Sequence, residues 1–287
     1  MVEITRRTAI GAMAGAVSAA GVLSQTARAQ DAAPAAGGRF KQSASRWCYG
    51  KMELGDLCAQ AKAIGLKGLD LIDEADCAAV IAAGLEVSLA NGPSGIADGW
   101  CHQNLHKGLI ERSQDLIPKL SKLGVKNMIV LAGNRKGMSY EEALKNCAAG
   151  LREILPFAEK NSITVILELL NSKRDHKDYC ADSSAWGVKL VDMLGAPNFT
   201  LLYDIYHMQI MEGDVIDTIR RNHAYFGHYH TGGVPGRHEI DNGQELNYRT
   251  ICEAIAETGF TGFLAHEFVP ERDPMTSLRE AFEICNV

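Results

Sequence analysis

Short runs of apolar and β-branched residues alternate along the chain with longer segments in which apolar positions recur every three or four residues. The runs predict strands at roughly 43–48, 68–72, 85–90, 127–132, 164–170, 199–204, 225–231 and 262–268. The longer segments predict helices at roughly 53–64, 75–83, 106–123, 140–160, 183–194, 214–221, 247–258 and 275–285. Five joints carry a glycine between helix and strand, at Gly65, Gly84, Gly124, Gly195 and Gly259, the residue type that ends a helix in left-handed backbone. Strand and helix in strict alternation is the pattern of βα units around a parallel sheet. Eight units in about 250 residues predict an α/β fold, a single (β/α)8 TIM barrel over 40–287. The competing architecture is an open doubly wound sheet, but no Gly-rich dinucleotide loop follows the first strand.

Residues 1–29 stand outside this alternation. Thr5-Arg6-Arg7-Thr8 precedes an uncharged stretch of small and apolar residues from Ala9 to Leu23, and Ala27-Arg28-Ala29 has the small-x-small form of a cleavage site. The segment resembles a twin-arginine export signal, which implies a periplasmic or exported protein that folds, and often loads a metal or cofactor, before translocation. Residues 30–39, rich in Ala, Pro and Gly, read as a flexible spacer. The apolar stretch is too short for a lasting membrane anchor, so no membrane association is expected after the signal is removed.

Composition narrows the chemistry. Hydrophobic residues are 46% and charged residues 22% of the 287, which excludes fibrous and wholly disordered classes. The formal charge is −6, and removing Arg6, Arg7, Arg28 and Glu3 with the signal takes it to about −8. No run of Lys or Arg exceeds a dipeptide, so the basic footprint of a nucleic-acid binder is missing and a small polar molecule is the expected partner. Self-association into a homo-oligomer stays open. Eight single cysteines (48, 58, 77, 101, 147, 180, 252 and 285) form no C-x-x-C pair; Cys58, Cys77, Cys147 and Cys252 fall in helical segments as small core residues. An oxidising compartment permits a disulfide without designating a pair.

In a barrel, chemistry collects at the C-terminal ends of strands. Polar residues interrupt the apolar strands there: Glu168 in Val-Ile-Leu-Glu-Leu-Leu-Asn171, Asp204 in Leu-Leu-Tyr-Asp-Ile-Tyr-His207, His230 in Gly-His-Tyr-His-Thr231, and Glu267 in Phe-Leu-Ala-His-Glu-Phe268. Each alone has a structural alternative, an ion pair for the carboxylates and a hydrogen-bonded core position for the histidine. Together, three carboxylates at one mouth would repel each other unless a cation joined them. Two Glu, one Asp and one His form an oxygen and nitrogen set suited to one divalent ion, Mn²⁺, Mg²⁺, Co²⁺ or Zn²⁺, with positions left for substrate.

These residues resemble the xylose-isomerase-like barrel superfamily, which includes hydroxypyruvate isomerases and ketose 3-epimerases, over essentially 40–287. The most specific likeness is Pro235-Gly236-Arg237-His238-Glu239 with Gly243, Glu245, Asn247 and Tyr248, similar to the strand 7 loop of hydroxypyruvate isomerases. Asp204-x-x-His207 is shared more widely. The resemblance implies that Glu168, Asp204, His230 and Glu267 hold the metal, that Glu168 and Glu267 also exchange protons with substrate, and that His207 and Arg237 hold substrate oxygens. Trp47 and Asn171 join them as substrate-contact candidates. Such chemistry moves a proton between adjacent carbons through an enediolate, with hydroxypyruvate to tartronate semialdehyde as the leading reaction. Arg237 as an exposed loop cation and His207 as support for Asp204 are the alternatives.

Two departures bear on the substrate. Some hydroxypyruvate isomerases carry Gln where His230 stands, whereas epimerases carry His; epimerases carry Glu where this chain has Arg174. Arg46, Trp47 and Tyr49 after strand 1, and Trp100, His102 and His106 after strand 3, are expected to form an apolar lid and polar rim. His228 shares a strand face with His230 as a supporting partner, while His266 points toward the helices. A ketose 3-epimerase, a phosphodiester-cleaving barrel and an exported sugar-binding protein without catalysis are the competing functions; the acidic balance disfavours the second, and the paired carboxylates disfavour the third.

Overall fold

Lys41–Ser45 (β1), Gly68–Ile72 (β2), Glu86–Ala90 (β3), Asn127–Val130 (β4), Thr164–Glu168 (β5), Phe199–Asp204 (β6), Phe226–Thr231 (β7) and Phe263–His266 (β8) pair in sequence order, all parallel, and β8 closes onto β1. This computed structural model describes residues 38–287, so the export signal and most of the spacer expected from the sequence lie outside the described residues. The helices are Leu54–Ile64 (α1), Glu74–Ala82 (α2), His106–Lys122 (α3), Tyr140–Lys160 (α4), Ser184–Leu194 (α5), Ile205–Met211 (α6), Val215–Asn222 (α7), Tyr248–Glu257 (α8) and Pro274–Cys285 (α9). The architecture is a single (β/α)8 barrel. The five inter-element glycines all take positive φ, from 59° at Gly195 to 114° at Gly65.

The core has two parts. Leu89, Ile129, Ile166 and Leu202 fill the barrel's interior, with Leu71 and Leu131 packed on them. A larger apolar shell joins the outer strand faces to the helices. Each fully buried side chain of this kind contributes roughly 1.5–3 kcal/mol. The interior plug also positions the polar residues, because strand side chains alternate with period 2. Glu168 stands two residues beyond Ile166 and Asp204 two beyond Leu202, so both point inward just above the apolar layer.

Several strands end sooner than the pattern predicts. Arg46–Tyr49 form a 3-10 turn in place of the end of the first predicted strand, and β5 stops at Glu168 in place of residue 170. The apolar run continues there because Leu169 and Leu170 are buried under the loop, with the Leu170 N–H donating to Ala181. The pattern also missed α6. Asp204 ends β6 and at once caps α6, its carboxylate accepting from the His207 N–H, so no polar loop separates strand from helix. No helix among the described residues is long and apolar enough to cross a membrane. All eight cysteines are free thiols and all but Cys48 are buried, with Cys58, Cys77, Cys147 and Cys252 on the packed faces of α1, α2, α4 and α8.

Candidate active site

Glu168, Asp204, His230 and Glu267 meet above the interior plug, each buried and each offering a ligand atom within 4.8 Å of the others. Register makes the meeting: Asp204 pairs with His230 across β6 and β7, and Glu267 follows β8 directly. His230 Nδ1 lies 2.6 Å from Glu267 Oε2, 3.3 Å from Glu168 Oε1 and 3.9 Å from Asp204 Oδ2. Arg237 closes the group, its Nη2 donating to Glu267 Oε2 at 2.6 Å and Asp204 Oδ2 at 3.2 Å. The indole N–H of Trp47 donates to Glu267 Oε1 at 2.6 Å.

Burial and proximity set the protonation of the group. Burial pushes Asp204 up to about 7 and overcomes the pull of Arg237. Glu168 is also raised, by burial and by the charge of Glu267. Burial opposes ionisation of Glu267 as well, yet Arg237, His230 and Trp47 together hold its carboxyl well below the usual range. His230 is raised well above an ordinary imidazole, because Glu267 and Asp70 outweigh its burial. Three carboxylates thus face one arginine and one histidine.

The donor set suits a divalent cation. It combines carboxylate oxygens with one imidazole nitrogen, and the buried Glu168 Oε1 lacks a hydrogen-bond partner. An unpartnered buried carboxylate oxygen costs about 1–3 kcal/mol or more, which a bound ion would offset.

The family described as xylose isomerase-like TIM barrel matches residues 59–286. The chain belongs to that family. It is 37% identical over 128 residues to the 2-oxo-tetronate isomerase of Cupriavidus necator, an alignment spanning 43% of this chain and 48% of that enzyme. It is 25% identical over 259 residues to a putative hydroxypyruvate isomerase of Homo sapiens, spanning 84% and 92%. Among solved structures, a family 2 AP endonuclease from Brucella melitensis superposes with a TM-score of 0.76 at 24% identity, covering 84% of this chain and 96% of that one. At that identity the likeness is one of fold.

Within this xylose isomerase-like barrel, the other residues singled out from the sequence fall into two groups. Trp47 and Arg237 line a cavity of about 580 Å³ whose floor includes Glu168 and Glu267. Its walls are apolar at Leu71, Ile129, Leu131 and Leu170 and polar at Asp73 and Asn91, with His176 beside them. A larger hollow of about 770 Å³ lies along the strand 7 loop and α9 and holds none of the four clustered residues. Asn171 does not line the cavity. Its amide donates to Asp175 Oδ2 and His207 Nδ1, and its carbonyl oxygen accepts from the N–H groups of Arg174 and Asp175, which leaves nothing for a substrate. His207 is fully buried behind the carboxylates, with Nε2 3.5 Å from Asp204 Oδ2, and burial with Arg237 nearby keeps its imidazole neutral.

The expected lid and rim are built differently. Trp100 is fully buried, and His102 and His106 hydrogen-bond the carbonyls of Asn134 and Trp100, so these side chains brace the loop instead of covering the mouth. The Arg46 guanidinium is taken up by the carbonyls of Tyr49 and Met52, and Tyr49 is buried. Arg174 is an exposed loop cation. Asp73, Asn91, Ser94 and Ile96 provide the rim in their place. Arg237 is not an exposed cation: its side chain is 16% accessible, and its backbone holds φ of +61°. Glu239 of the same motif ties loops together, accepting from the N–H groups of Glu271 and Arg272 and from Ser277 Oγ. Sequence reasoning passed over Asp70, although Leu-Asp-Leu within a predicted strand carries the same signal as the four clustered residues.

Proposed function

We propose that the protein is a metal-dependent isomerase that moves a proton between adjacent carbons of a small hydroxy-carbonyl compound. The observation that carries this reading is the convergence of Glu168 and Glu267, from β5 and β8, on one buried donor set at the floor of the cavity. Glu168, Asp204, His230 and Glu267 would hold one divalent ion, of which Mn²⁺, Mg²⁺ and Co²⁺ suit the oxygen-rich set and Zn²⁺ is also accommodated. Such an ion supplies charge stabilisation for an enediolate when bound. Glu168 and Glu267 approach from different strands, so one removes a carbon-bound proton and the other returns one to the neighbouring carbon, each contributing on the order of 10²–10⁴ in rate. Arg237 and Trp47 orient Glu267, and His207 supports Asp204.

Hydroxypyruvate to tartronate semialdehyde is the leading reaction, supported by the strand 7 loop and by relatives that carry that name. Ketose 3-epimerisation is the second reading, favoured by a histidine at 230 whose Nδ1 faces the donor set. The N-terminal segment adds export by the twin-arginine route. The test is exchange of substrate carbon-bound hydrogen in deuterated water, with hydroxypyruvate and several free ketoses offered to the metal-loaded mature protein. Exchange is expected with one class, and Glu168→Gln and Glu267→Gln abolish it while binding the ion. Full exchange in both variants, or none with any substrate, overturns the reading.

A further inference from the structure

His230 belongs to two clusters. Besides the site above, it meets Asp70 and His228, both fully buried. The Asp70 carboxylate is shared: Oδ2 accepts from His230 Nε2 at 2.9 Å, Oδ1 lies 3.0 Å from His228 Nε2, and Ser88 Oγ donates to Oδ1. The two ring nitrogens of His230 are thereby divided, with Nε2 on Asp70 and Nδ1 on the side of Glu168, Asp204 and Glu267. The backbone around Asp70 is built for this. The register of β2 against β3 shifts on both sides of Asp70, and Leu71 takes φ of +53°, a conformation that a branched side chain rarely adopts.

The Asp70–His230 contact has the length of a hydrogen bond. A donor and acceptor sharing a proton stand about 2.7–3.2 Å apart, and the Asp70–His230 separation of 2.9 Å falls in that range.

We propose that Asp70 is a positioning residue for the metal centre: by accepting the Nε2–H of His230 it fixes the ring and its tautomer, and commits the Nδ1 lone pair to the ion. Ser88 holds the carboxylate of Asp70 in turn by donating to Oδ1. This inference rests on the reading of Glu168, Asp204, His230 and Glu267 as a metal centre. A metal-bound imidazole whose other nitrogen donates to a carboxylate binds its ion more tightly and in one orientation, and loss of that partner weakens binding about 10–100-fold.

The experiment uses the whole mature protein, stripped of metal and then titrated with Mn²⁺ against a chelating dye, in wild type, Asp70→Ala and Asp70→Asn. Wild type is expected to bind one Mn²⁺ per chain. Asp70→Ala should bind about 10–100-fold more weakly, and Asp70→Asn, which keeps the size and an acceptor oxygen, should fall between. Nitrogen-15 spectra of the histidine rings in the Zn²⁺-loaded proteins read the tautomer directly. His230 is expected to be protonated at Nε2 in wild type, and an ion bound at Nε2 with the proton on Nδ1 overturns the proposal; if Asp70→Ala does not fold, the affinity of the Asn variant decides. Unchanged Mn²⁺ affinity in the folded variants overturns the proposal. Two Mn²⁺ per wild-type chain, with one lost in both variants, overturn it as well, because Asp70 would then be a ligand. Wild type that binds no divalent ion overturns the metal centre and this inference together, whereas tight wild-type binding with indifferent variants overturns this inference alone.

Discussion

Replacing Arg237 by Gln tests the charge balance of the site. Arg237 touches two of the three clustered carboxylates, at 2.6 and 3.2 Å, and His230 lies against the same group. Breaking a buried ion pair by removing one partner costs about 3–5 kcal/mol, since it leaves charge without compensation. Proton uptake by Asp204, already pushed up to about 7, relieves part of this and places the expected loss near the lower end, about 3 kcal/mol. For a barrel of this size that corresponds to a fall in Tm of about 6–12 °C. A divalent ion supplies the missing positive charge, so the loss in the Mn²⁺-saturated protein should shrink to about 1 kcal/mol. The assay is thermal unfolding of wild type and Arg237→Gln, each stripped of metal and each saturated with Mn²⁺. An exposed loop cation would change stability by less than about 0.5 kcal/mol in either state. Equal losses with and without metal would refute the argument, because Arg237 would then act through packing and not through charge.

Two further outcomes are expected. The Glu239 carboxyl is held at about 2 in the folded protein: backbone N–H groups of Arg272 and Glu271 and the Ser277 hydroxyl overcome its burial. A carboxylate with a lowered folded pKa stabilises above its ordinary value of about 4.3 and loses that contribution as pH falls toward the folded value, so Glu239→Gln should cost about 3 kcal/mol at pH 7. Urea unfolding of both proteins should show the gap narrowing between about pH 4 and pH 2; a gap independent of pH refutes this role. For export, replacing Arg6 and Arg7 by Lys should retain the protein in the cytoplasm of a bacterium with a twin-arginine pathway, and unchanged appearance in the periplasmic fraction refutes the signal.

Much of the fold was legible because a βα barrel is written in local patterns. Apolar runs, helical periodicity and glycines after helices each depend on a few neighbouring residues, and together they placed all eight strands. The clustered residues were legible for a related reason, since a charged group in an apolar strand must be explained by something other than burial. What escaped has identifiable causes. Helix α6 was hidden because Asp204 serves both as the last strand residue and as a helix cap. Asn171 beside Glu168 suggested a substrate contact, but its amide is consumed by His207 and Asp175 from elsewhere in the mouth. Trp100, His102 and His106 offered suitable chemistry at a suitable loop, but Trp100 and His102 are buried and the His106 ring is tied to the Trp100 carbonyl.

The sequence by itself determined the alternation and the four polar residues at the strand ends, which follow from periodicity and from the cost of burying charge, and its motifs carried the family resemblance. Tertiary structure alone decided which groups share a proton or a charge. Arg237 reaches Asp204 and Glu267 from a loop about thirty residues away, and Asp70 reaches His230 across 160 residues of chain. Such contacts depend on strand register and loop geometry, which no local pattern encodes.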